Sequence, residues 1–204
     1  MYQAIVFFDL DSTLFDDNKH VLPASVAAIH EMQQHHILPV IATGRNIFEI
    51  QYVLDGTGID SVVGANGSYV QYQGQRLAAA VIAPKLLTAV TAFAQRQHDP
   101  IAYYTSQGFR LSQANADTTE NFQLLRLHPI VDPAWYATQQ INFLNVFNRD
   151  HDQLYQEKFS GQLTFVRNNP RCLDTMVNGV TKQSGIRTLI QQAGLQGIKT
   201  YAFG

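Results

Sequence analysis

The sequence predicts an α/β fold: a doubly wound, Rossmann-like parallel sheet with an inserted α+β domain. Short apolar segments alternate with amphipathic helical segments over roughly the first 70 residues, and each apolar segment ends in polar or glycine residues. This alternation is typical of parallel sheets whose loops build a site at one edge. Hairpin patterns follow, and the first alternation resumes at Val180. We therefore expect a core of residues 1–81 and 176–204 and an inserted domain of residues 82–175.

Composition and charge narrow the class of protein. The chain has 204 residues, of which 46% are hydrophobic and 15% charged, as expected of a soluble globular protein. Its 14 Lys and Arg residues are balanced by 16 Asp and Glu residues without a basic block, so nucleic acid is not an expected partner. The apolar runs are too short for a membrane span, and no signal peptide is recognised. With Cys172 as the only cysteine, we predict a cytoplasmic location.

The first strand sets the pattern of the core. Residues 4–8 are five consecutive apolar residues, which predicts a strand buried on both faces and hence central in the sheet. A polar loop follows at 14–20. Pro23 then begins a helix, at the position where its missing N–H costs nothing. Residues 37–42 form the second buried strand, in which Pro39 indicates an irregularity or an edge position.

The remaining elements follow from periodicity and turn residues. Asn46 and Glu49 form the capping pattern of a helix at 47–54, and a short strand at 61–64 follows. The middle of the chain predicts, in order, strands 69–72 and 77–82, a helix beginning at Pro84, strands 101–106, 109–111 and 141–147, a helix at 150–159 and strand 163–167. A helix at 185–193 and a strand at 200–203, expected beside the first strand, complete the pattern.

Two carboxylates, Asp9 and Asp11, come directly after the first strand, and strand alternation sends both to the same side. In open parallel sheets, ligands bind beyond the carboxyl ends of the strands, which predicts a crevice lined by both acids. The alternative is a solvated acidic turn, because Asp and Ser are ordinary turn residues. This stretch alone does not separate the two interpretations.

Later residues favour a phosphate site. Two bare acids would repel a phosphoryl group, and a hard cation with oxygen ligands, usually Mg²⁺, removes that conflict. Thr43 can donate its hydroxyl to a phosphate, and the backbone at Gly44 can approach one closely because glycine has no side chain. Lys182, one of only five lysines, can supply positive charge at a helix start. Considered alone, it is equally a solvated surface lysine.

The ordered motifs resemble those of the haloacid dehalogenase (HAD) superfamily, and more closely those of its Cof-like phosphatases. They are Asp9-Leu-Asp11-Ser-Thr13 after the first strand, Thr43-Gly44-Arg45 after the second, Asn66-Gly67 after the third and Thr181-Lys182 after the inserted domain. Each motif is weak alone, whereas the ordered set covers essentially the whole chain.

The resemblance implies a role for each matching residue. Asp9 matches the nucleophile that forms an aspartyl-phosphate, and Asp11 matches the general acid/base. Mg²⁺ would be held by the Asp9 carboxylate and the Asp11 backbone carbonyl. Thr43, Gly44 and Lys182 match the positions that bind and orient the phosphate.

Other positions match a substrate pocket or depart from the family pattern. Arg45 and Asn66 lie where the pocket begins, although Arg45 also suits an ion pair and Asn66 a turn. Residues 82–175 resemble the α/β cap that selects the substrate. Ser12 and Gln183 stand where glycine is usual. We expect Ser12 to be tolerated if the backbone there is not left-handed, and Gln183 to be tolerated at a helix start.

The chain ends at Gly204, where the resemblance implies a further Asp-rich loop that completes the metal site. We therefore expect a core that is incomplete at its C-terminus, truncated before the last metal carboxylate. Weak or no activity is the expected consequence, because Mg²⁺ demands near-octahedral coordination. Self-association through the exposed final strand is also expected.

The leading hypothesis is a Mg²⁺-dependent phosphatase that hydrolyses a small phosphorylated metabolite, such as a sugar phosphate or a phosphorylated cofactor. A second enzyme hypothesis keeps the covalent aspartate but transfers the phosphoryl group to a sugar, as mutases of the superfamily do. A third is a catalytically inert module that binds a phosphorylated ligand. The sequence does not identify the substrate, because it does not orient the side chains of the inserted domain.

Overall fold

The structure, a computed structural model, describes residues 2–204 and divides the chain into two compact units. The first unit is formed by the chain up to Ala79 together with Val180–Gly204, and the second by Ala80–Gly179. The second unit is therefore an insertion in the sequence of the first.

Within residues 2–204 the chain forms eleven strands and six α-helices. The first ten of these elements, in chain order, are β1 (Ala4–Phe8), α1 (Pro23–Gln34), β2 (Ile37–Ala42), α2 (Gln51–Thr57), β3 (Val62–Gly64), β4 (Tyr69–Tyr72), β5 (Gln75–Ala79), α3 (Pro84–Gln97), β6 (Ile101–Thr105) and β7 (Gly108–Leu111). They are followed by α4 (Ala116–Leu124), β8 (Phe143–Phe147), α5 (Asp152–Lys158), β9 (Leu163–Asn169), β10 (Cys172–Val177), α6 (Lys182–Gln192) and β11 (Lys199–Phe203).

A six-stranded sheet with the order β11-β1-β2-β3-β4-β5 forms the centre of the first unit. The strands β11, β1, β2 and β3 are parallel, and β4 and β5 extend the sheet as an antiparallel hairpin. As predicted for a fully apolar strand, β1 is internal, with Val6 opposite Tyr201 on one side and Pro39 on the other. The prediction of an α/β fold with a parallel-sheet core is confirmed.

Both faces of β1 are covered, which explains why its sequence does not alternate between apolar and polar residues. Val6 and Phe8 belong to an apolar cluster that includes residues of α1 and α2. Ile5 and Phe7 belong to a second cluster, which includes Leu189 of α6. Burial of a large apolar side chain contributes about 1.5–3 kcal/mol, so these four residues anchor β1 firmly.

The edge position considered for Pro39 was wrong. The strand β2 is internal, but its pairing with β3 begins only at Ile41. Around Pro39, β2 therefore pairs with β1 alone, and no strand is paired with its other edge. A residue without an N–H group is tolerated at such a place.

Several helices differ from the predicted ones. The predicted helix at 47–54 is a 3₁₀ turn, Ile47–Ile50, followed by α2. The helix α6 begins at Lys182 rather than at 185, because Thr181 and Ser184 cap its first turn. The helix α4 was not predicted, because its sequence is mostly polar and Phe122 is its one large buried apolar side chain. None of the helices in residues 2–204 has both the length and the apolar character needed to cross a membrane.

The second unit is built on a five-stranded antiparallel sheet with the order β7-β6-β8-β10-β9. Its apolar cluster joins α3 and α5 to the sheet through residues such as Val90, Tyr155 and Leu173. Cys172 is buried in β10, a strand that was not predicted, and this burial raises the pKa of its thiol to about 12. The thiol is therefore protonated at neutral pH, which agrees with a packing role.

Two glycines allow α6 to rest directly on the loop after β3. A methyl group at Gly185 would lie 2.5 Å from Val63 Cγ1 and 2.9 Å from Gly67 Cα, closer than real contacts. At Gly67 the backbone is left-handed, with φ of +96°, and a side chain would overlap the carbonyl oxygen of Thr181. The position of the first turn of α6 therefore depends on the absence of side chains at both positions.

Gly185→Ala is expected to lower the free energy of unfolding by about 1–3 kcal/mol, because the added methyl group must displace Val63 or the backbone at Gly67. Gly56→Ala in α2 is the matched control. Nothing lies within 4 Å of its added methyl group, and higher helix propensity should stabilise the protein by about 0.5–1 kcal/mol. Urea unfolding followed by circular dichroism measures both changes. A Gly185→Ala variant as stable as wild type would contradict the close-contact interpretation.

Candidate active site

Asp9 lies at the carboxyl end of β1. Its backbone N–H donates to Phe203 O at 2.9 Å, which continues the hydrogen bonding between β1 and β11. The carboxylate oxygen Oδ1 accepts the N–H of Leu10 at 2.8 Å, and Oδ2 accepts a hydrogen bond from Lys182 Nζ at 2.6 Å. The side chain is 30% exposed, so it is held in place and still accessible to a ligand.

Lys182 reaches Asp9 from the first turn of α6. Thr181 and Ser184 fix this turn, because the Thr181 hydroxyl accepts the Ser184 N–H at 3.0 Å and the Thr181 N–H donates to Ser184 Oγ at 2.9 Å. Asp9 and Lys182 are 173 positions apart in the sequence. Their ion pair therefore joins the two separate segments of the first unit.

Asp11 carries a second set of ion pairs. Arg45 donates from Nε to Oδ2 and from Nη2 to Oδ1, both at 2.8 Å, in a bidentate arrangement. Lys19 Nζ donates to Oδ1 at 2.8 Å. Burial raises the pKa of the Asp11 carboxyl, but the hydrogen bonds and charges of Arg45 and Lys19 outweigh this effect and lower the pKa to about 2. In this arrangement Asp11 is ionised at neutral pH.

Backbone hydrogen bonds join the loops that follow β2 and β3. Thr43 O accepts the Asn66 N–H at 3.1 Å, and Arg45 O accepts the Ala65 N–H at 2.8 Å. The Thr43 side chain is buried, and its hydroxyl accepts the Arg45 N–H at 3.2 Å. A methyl group at Gly44 would lie 3.1 Å from Asn66 Oδ1, so the two residues are close neighbours. These residues form one connected loop cluster.

The structure brings the predicted site residues together in two groups. The four charged residues form two ion pairs, Asp9 with Lys182 and Asp11 with Arg45. The ion pair of Arg45 was one of the two alternatives that the sequence left open. The three uncharged residues lie in the loop cluster; they are Thr43, Gly44 and Asn66.

Sequence reasoning missed Lys19. It lies in the polar loop between β1 and α1, where it follows Asp16, Asp17 and Asn18. Two signals were available: Lys19 is one of only five lysines, and it lies in the polar loop predicted at 14–20, shortly after Asp9 and Asp11. The eight-residue separation of Asp11 and Lys19 in the sequence does not indicate that the loop brings Lys19 into contact with the Asp11 carboxylate.

The turn after β1 is left-handed at Ser12, with φ of +62° and ψ of +12°. Phe15 N–H donates to Leu10 O at 2.9 Å and closes this turn. The condition under which Ser12 was expected to be tolerated, a backbone that is not left-handed, is therefore not met. A residue with a side chain in this conformation costs about 1–2 kcal/mol, so the turn that carries Asp11 is strained.

Comparisons with known proteins agree on one family. The model of the haloacid dehalogenase-like hydrolase family matches residues 6–204. YkrA of Bacillus subtilis (strain 168) is 24% identical over 208 residues, which cover 100% of this chain and 80% of YkrA. The HMP-PP phosphatase of Citrobacter koseri is 24% identical over 212 residues, which cover 97% and 75%. A crystal structure of a Geobacillus kaustophilus HTA426 protein superposes with a TM-score of 0.89 at 30% identity, covering 98% and 79%.

The fold is an α/β fold with a parallel-sheet core, and Asp9 and Asp11 follow the carboxyl end of its internal strand β1. Because the family match spans nearly the whole chain, the protein belongs to the haloacid dehalogenase-like hydrolases. The predicted superfamily and the predicted class of enzyme, a hydrolase, are confirmed.

Ser12→Gly is expected to raise the free energy of unfolding by about 1 kcal/mol, because glycine adopts the left-handed conformation without strain. Ser12→Ala is the control, since it removes the exposed hydroxyl but keeps the Cβ atom, and it should not stabilise the protein. Thermal and urea unfolding of the three proteins measure the difference. Equal stability of the glycine and alanine variants would contradict the strain.

Proposed function

We propose that the protein is a Mg²⁺-dependent phosphatase that hydrolyses a small phosphorylated metabolite through an aspartyl-phosphate on Asp9. The observation that carries the proposal is the accessible Asp9 carboxylate, 2.6 Å from the Lys182 ammonium group. A carboxylate can attack phosphorus, and an adjacent cation can neutralise the phosphoryl oxygens. Membership of the hydrolase family supports hydrolysis, and similarity to an HMP-PP phosphatase supports a phosphorylated substrate.

The donor atoms at the site fit Mg²⁺. This ion prefers oxygen ligands and usually keeps several water molecules, with one or two carboxylates and the substrate phosphate as further ligands. The Asp9 carboxylate and the Asp11 backbone carbonyl are suitable oxygen donors. In the described part of the chain, no group of three or more His, Cys, Asp or Glu side chains is placed to hold a metal. Bound there, Mg²⁺ would offset the charge of the carboxylate and the phosphoryl group.

Each residue then has a defined task. Asp9 Oδ2 attacks phosphorus, and Lys182 stabilises the charge that develops on the phosphoryl oxygens. Thr43 and Gly44 orient the phosphate. Asp11, ionised in the present arrangement, can accept a proton from the water that hydrolyses the intermediate. To donate a proton to a leaving alkoxide, it must first be protonated and weaken its ion pairs.

The substrate-binding roles follow from position. Arg45 contacts Asp11, and Asn66 lies beside Gly44, so both are proposed to contact the part of the substrate next to the phosphate. The roles of residues 82–175 as a cap and the cytoplasmic location stay predictions.

Asp9→Asn is expected to abolish Mg²⁺-dependent hydrolysis of p-nitrophenyl phosphate, because an amide cannot form the acyl phosphate. Asp17→Asn, an exposed aspartate in the following loop, is the matched control and should keep the wild-type rate. Release of p-nitrophenol with and without EDTA measures both.

Wild-type turnover by Asp9→Asn would refute the nucleophile assignment. Phosphate binding by the wild-type chain without any hydrolysis would instead favour the non-catalytic, phosphate-binding alternative. Transfer of the phosphoryl group to an added sugar, detected by trapping the product, would favour a mutase.

We also propose that the chain self-associates through β11. This strand is at the edge of its sheet, and the side chains of Tyr201 and Phe203 are 45% and 54% exposed. An exposed edge strand offers unpaired backbone groups to another copy of the chain.

Tyr201→Lys is expected to reduce self-association, because a charged side chain on an edge strand disfavours pairing. Leu124→Lys, at an exposed leucine of α4, is the control and should behave as wild type. Size-exclusion chromatography with light scattering gives the mass as a function of concentration. A wild-type chain that stays monomeric throughout would contradict the proposal.

A further inference from the structure

Hydrogen bonds within the loop between β1 and α1 set its internal shape. Phe15 and Val21 form an isolated antiparallel bridge. The Asp16 N–H donates to His20 O at 2.9 Å, and Asp16 Oδ1 accepts the His20 N–H at 2.8 Å. The backbone of Lys19 is left-handed, with φ of +64°, and its N–H donates to Asp16 O at 3.0 Å. All these bonds are internal to the loop, so they do not attach it to another element of the first unit.

Tyr52 of α2 joins this loop to a separate helix. Its hydroxyl donates to Lys19 O at 2.8 Å. Its ring is stacked on the ring of Phe15, with centroids 6.2 Å apart and an interplanar angle of 5°. Tyr52 therefore contacts the loop at two points, through the hydroxyl at Lys19 and through the ring at Phe15.

Both contacts of Tyr52 lead to Asp11. Lys19 Nζ donates to Asp11 Oδ1 at 2.8 Å. The guanidinium carbon of Arg45 lies 5.3 Å from the centroid of the Phe15 ring, and Arg45 donates to both carboxylate oxygens of Asp11. The charge of Glu49 also acts on Arg45, so two carboxylates face the two cations. A cluster with balanced charge is suited to orienting the Asp11 carboxylate.

The ion pair of Lys19 and Asp11 does not hold the lysine in place by itself. Their side chains are 44% and 43% exposed, and solvent screens such a pair. A flexible lysine also loses rotamer freedom when the pair forms. A fixed backbone at Lys19 limits the positions that its ammonium group can reach, which favours the contact with Asp11. The hydroxyl of Tyr52 fixes that backbone from outside the loop.

We propose that Tyr52 is a positioning residue for Asp11, acting through Lys19 when Asp11 accepts a proton from the water that hydrolyses the aspartyl-phosphate. The inference rests on the proposed function, in which Asp11 has this role. In that step the water oxygen forms a bond to phosphorus, the bond from phosphorus to Asp9 breaks, and its electron pair restores the carboxylate. The proton of the water passes to Asp11 and then to solvent. The products are inorganic phosphate and the free enzyme.

Loss of the Tyr52 hydroxyl should slow this second step alone. Displacement of a catalytic group by about 1 Å can lower a rate about a hundredfold, so a small movement of Asp11 is measurable. The first step, attack of Asp9 on p-nitrophenyl phosphate, does not need a proton from Asp11, because p-nitrophenolate is a good leaving group. A variant that misplaces Asp11 therefore accumulates the aspartyl-phosphate.

The fraction of chains that carry a phosphoryl group during turnover separates the two steps. Protein is incubated with Mg²⁺ and saturating p-nitrophenyl phosphate, quenched in acid, and measured by intact-protein mass spectrometry. The ratio of phosphorylated to unmodified chains equals the rate constant of the first step divided by that of the second. We expect Tyr52→Phe to raise this ratio about tenfold and to leave kcat/KM unchanged, because kcat/KM reports only the first step.

Tyr2→Phe is the matched control. It removes a tyrosine hydroxyl that accepts a hydrogen bond from Gln73 Nε2 at 3.0 Å, and it should keep the wild-type ratio. An unchanged or lowered ratio in Tyr52→Phe would overturn the positioning role. A fall in kcat/KM with an unchanged ratio would overturn it as well, because that result indicates a general loosening of the site.

A double substitution tests the connection through Lys19. Lys19→Gln should raise the ratio by a similar factor, and Tyr52→Phe should add nothing in the Lys19→Gln protein, since both substitutions break one connection. Effects that multiply in the double variant would show that Tyr52 does not act through Lys19 and would overturn the proposal.

Hydrogen–deuterium exchange measures the position of the loop without turnover. Peptides covering residues 14–20 should exchange faster in Tyr52→Phe than in wild type, and at the wild-type rate in Tyr2→Phe. A wild-type chain that yields neither p-nitrophenol nor a phosphorylated form refutes the proposed function. In that case, faster exchange in Tyr52→Phe would still support the hold of Tyr52 on the loop, and equal exchange would overturn it.

Discussion

Burial of β1 on both faces is the constraint on which the first unit depends. Four large apolar side chains of this strand are shared between two clusters, one with α1 and α2 and one with α6. Their combined contribution far exceeds that of the partly exposed pair Asp9–Lys182, since such a pair is worth about 0–1 kcal/mol. Apolar packing of β1 therefore determines where the ion pair lies, and the ion pair contributes little to the stability of the fold. Asp9 is fixed because it directly follows the most firmly anchored strand of the sheet.

Around Asp9, several features position the site residues at a cost in stability. Ser12 takes a left-handed backbone at a cost in energy, and the turn directs Asp11 to Arg45 and Lys19. Glycines at 67 and 185 let α6 approach the loop after β3. This close approach determines where Lys182, in the first turn of α6, lies. Strain and missing side chains at a site are expected where geometry matters more than stability. Ion pairs and backbone contacts together therefore connect the loops after three strands with the start of α6.

Much of this arrangement could be predicted from the sequence, because its signals are local. A run of five apolar residues predicts a central strand, and Asp9 and Asp11 after it predict a site at the sheet edge. The contacts could not be predicted, because they join residues far apart in sequence. The loop that returns Lys19 to Asp11, the left-handed backbone at Ser12 and the close approach at Gly185 depend on tertiary structure. The polar helix α4 was missed for a similar reason, since packing of Phe122 rather than periodicity supports it.

The central claim is that Asp9 carries the phosphoryl group during turnover, and mass spectrometry tests it most directly. The chain is incubated with Mg²⁺ and p-nitrophenyl phosphate, quenched in acid, and reduced with borohydride, which converts an acyl phosphate to an alcohol. We predict a peptide in which homoserine replaces the aspartate at position 9. Product formation with position 9 unmodified, or with the reduced residue at another position, would contradict the claim.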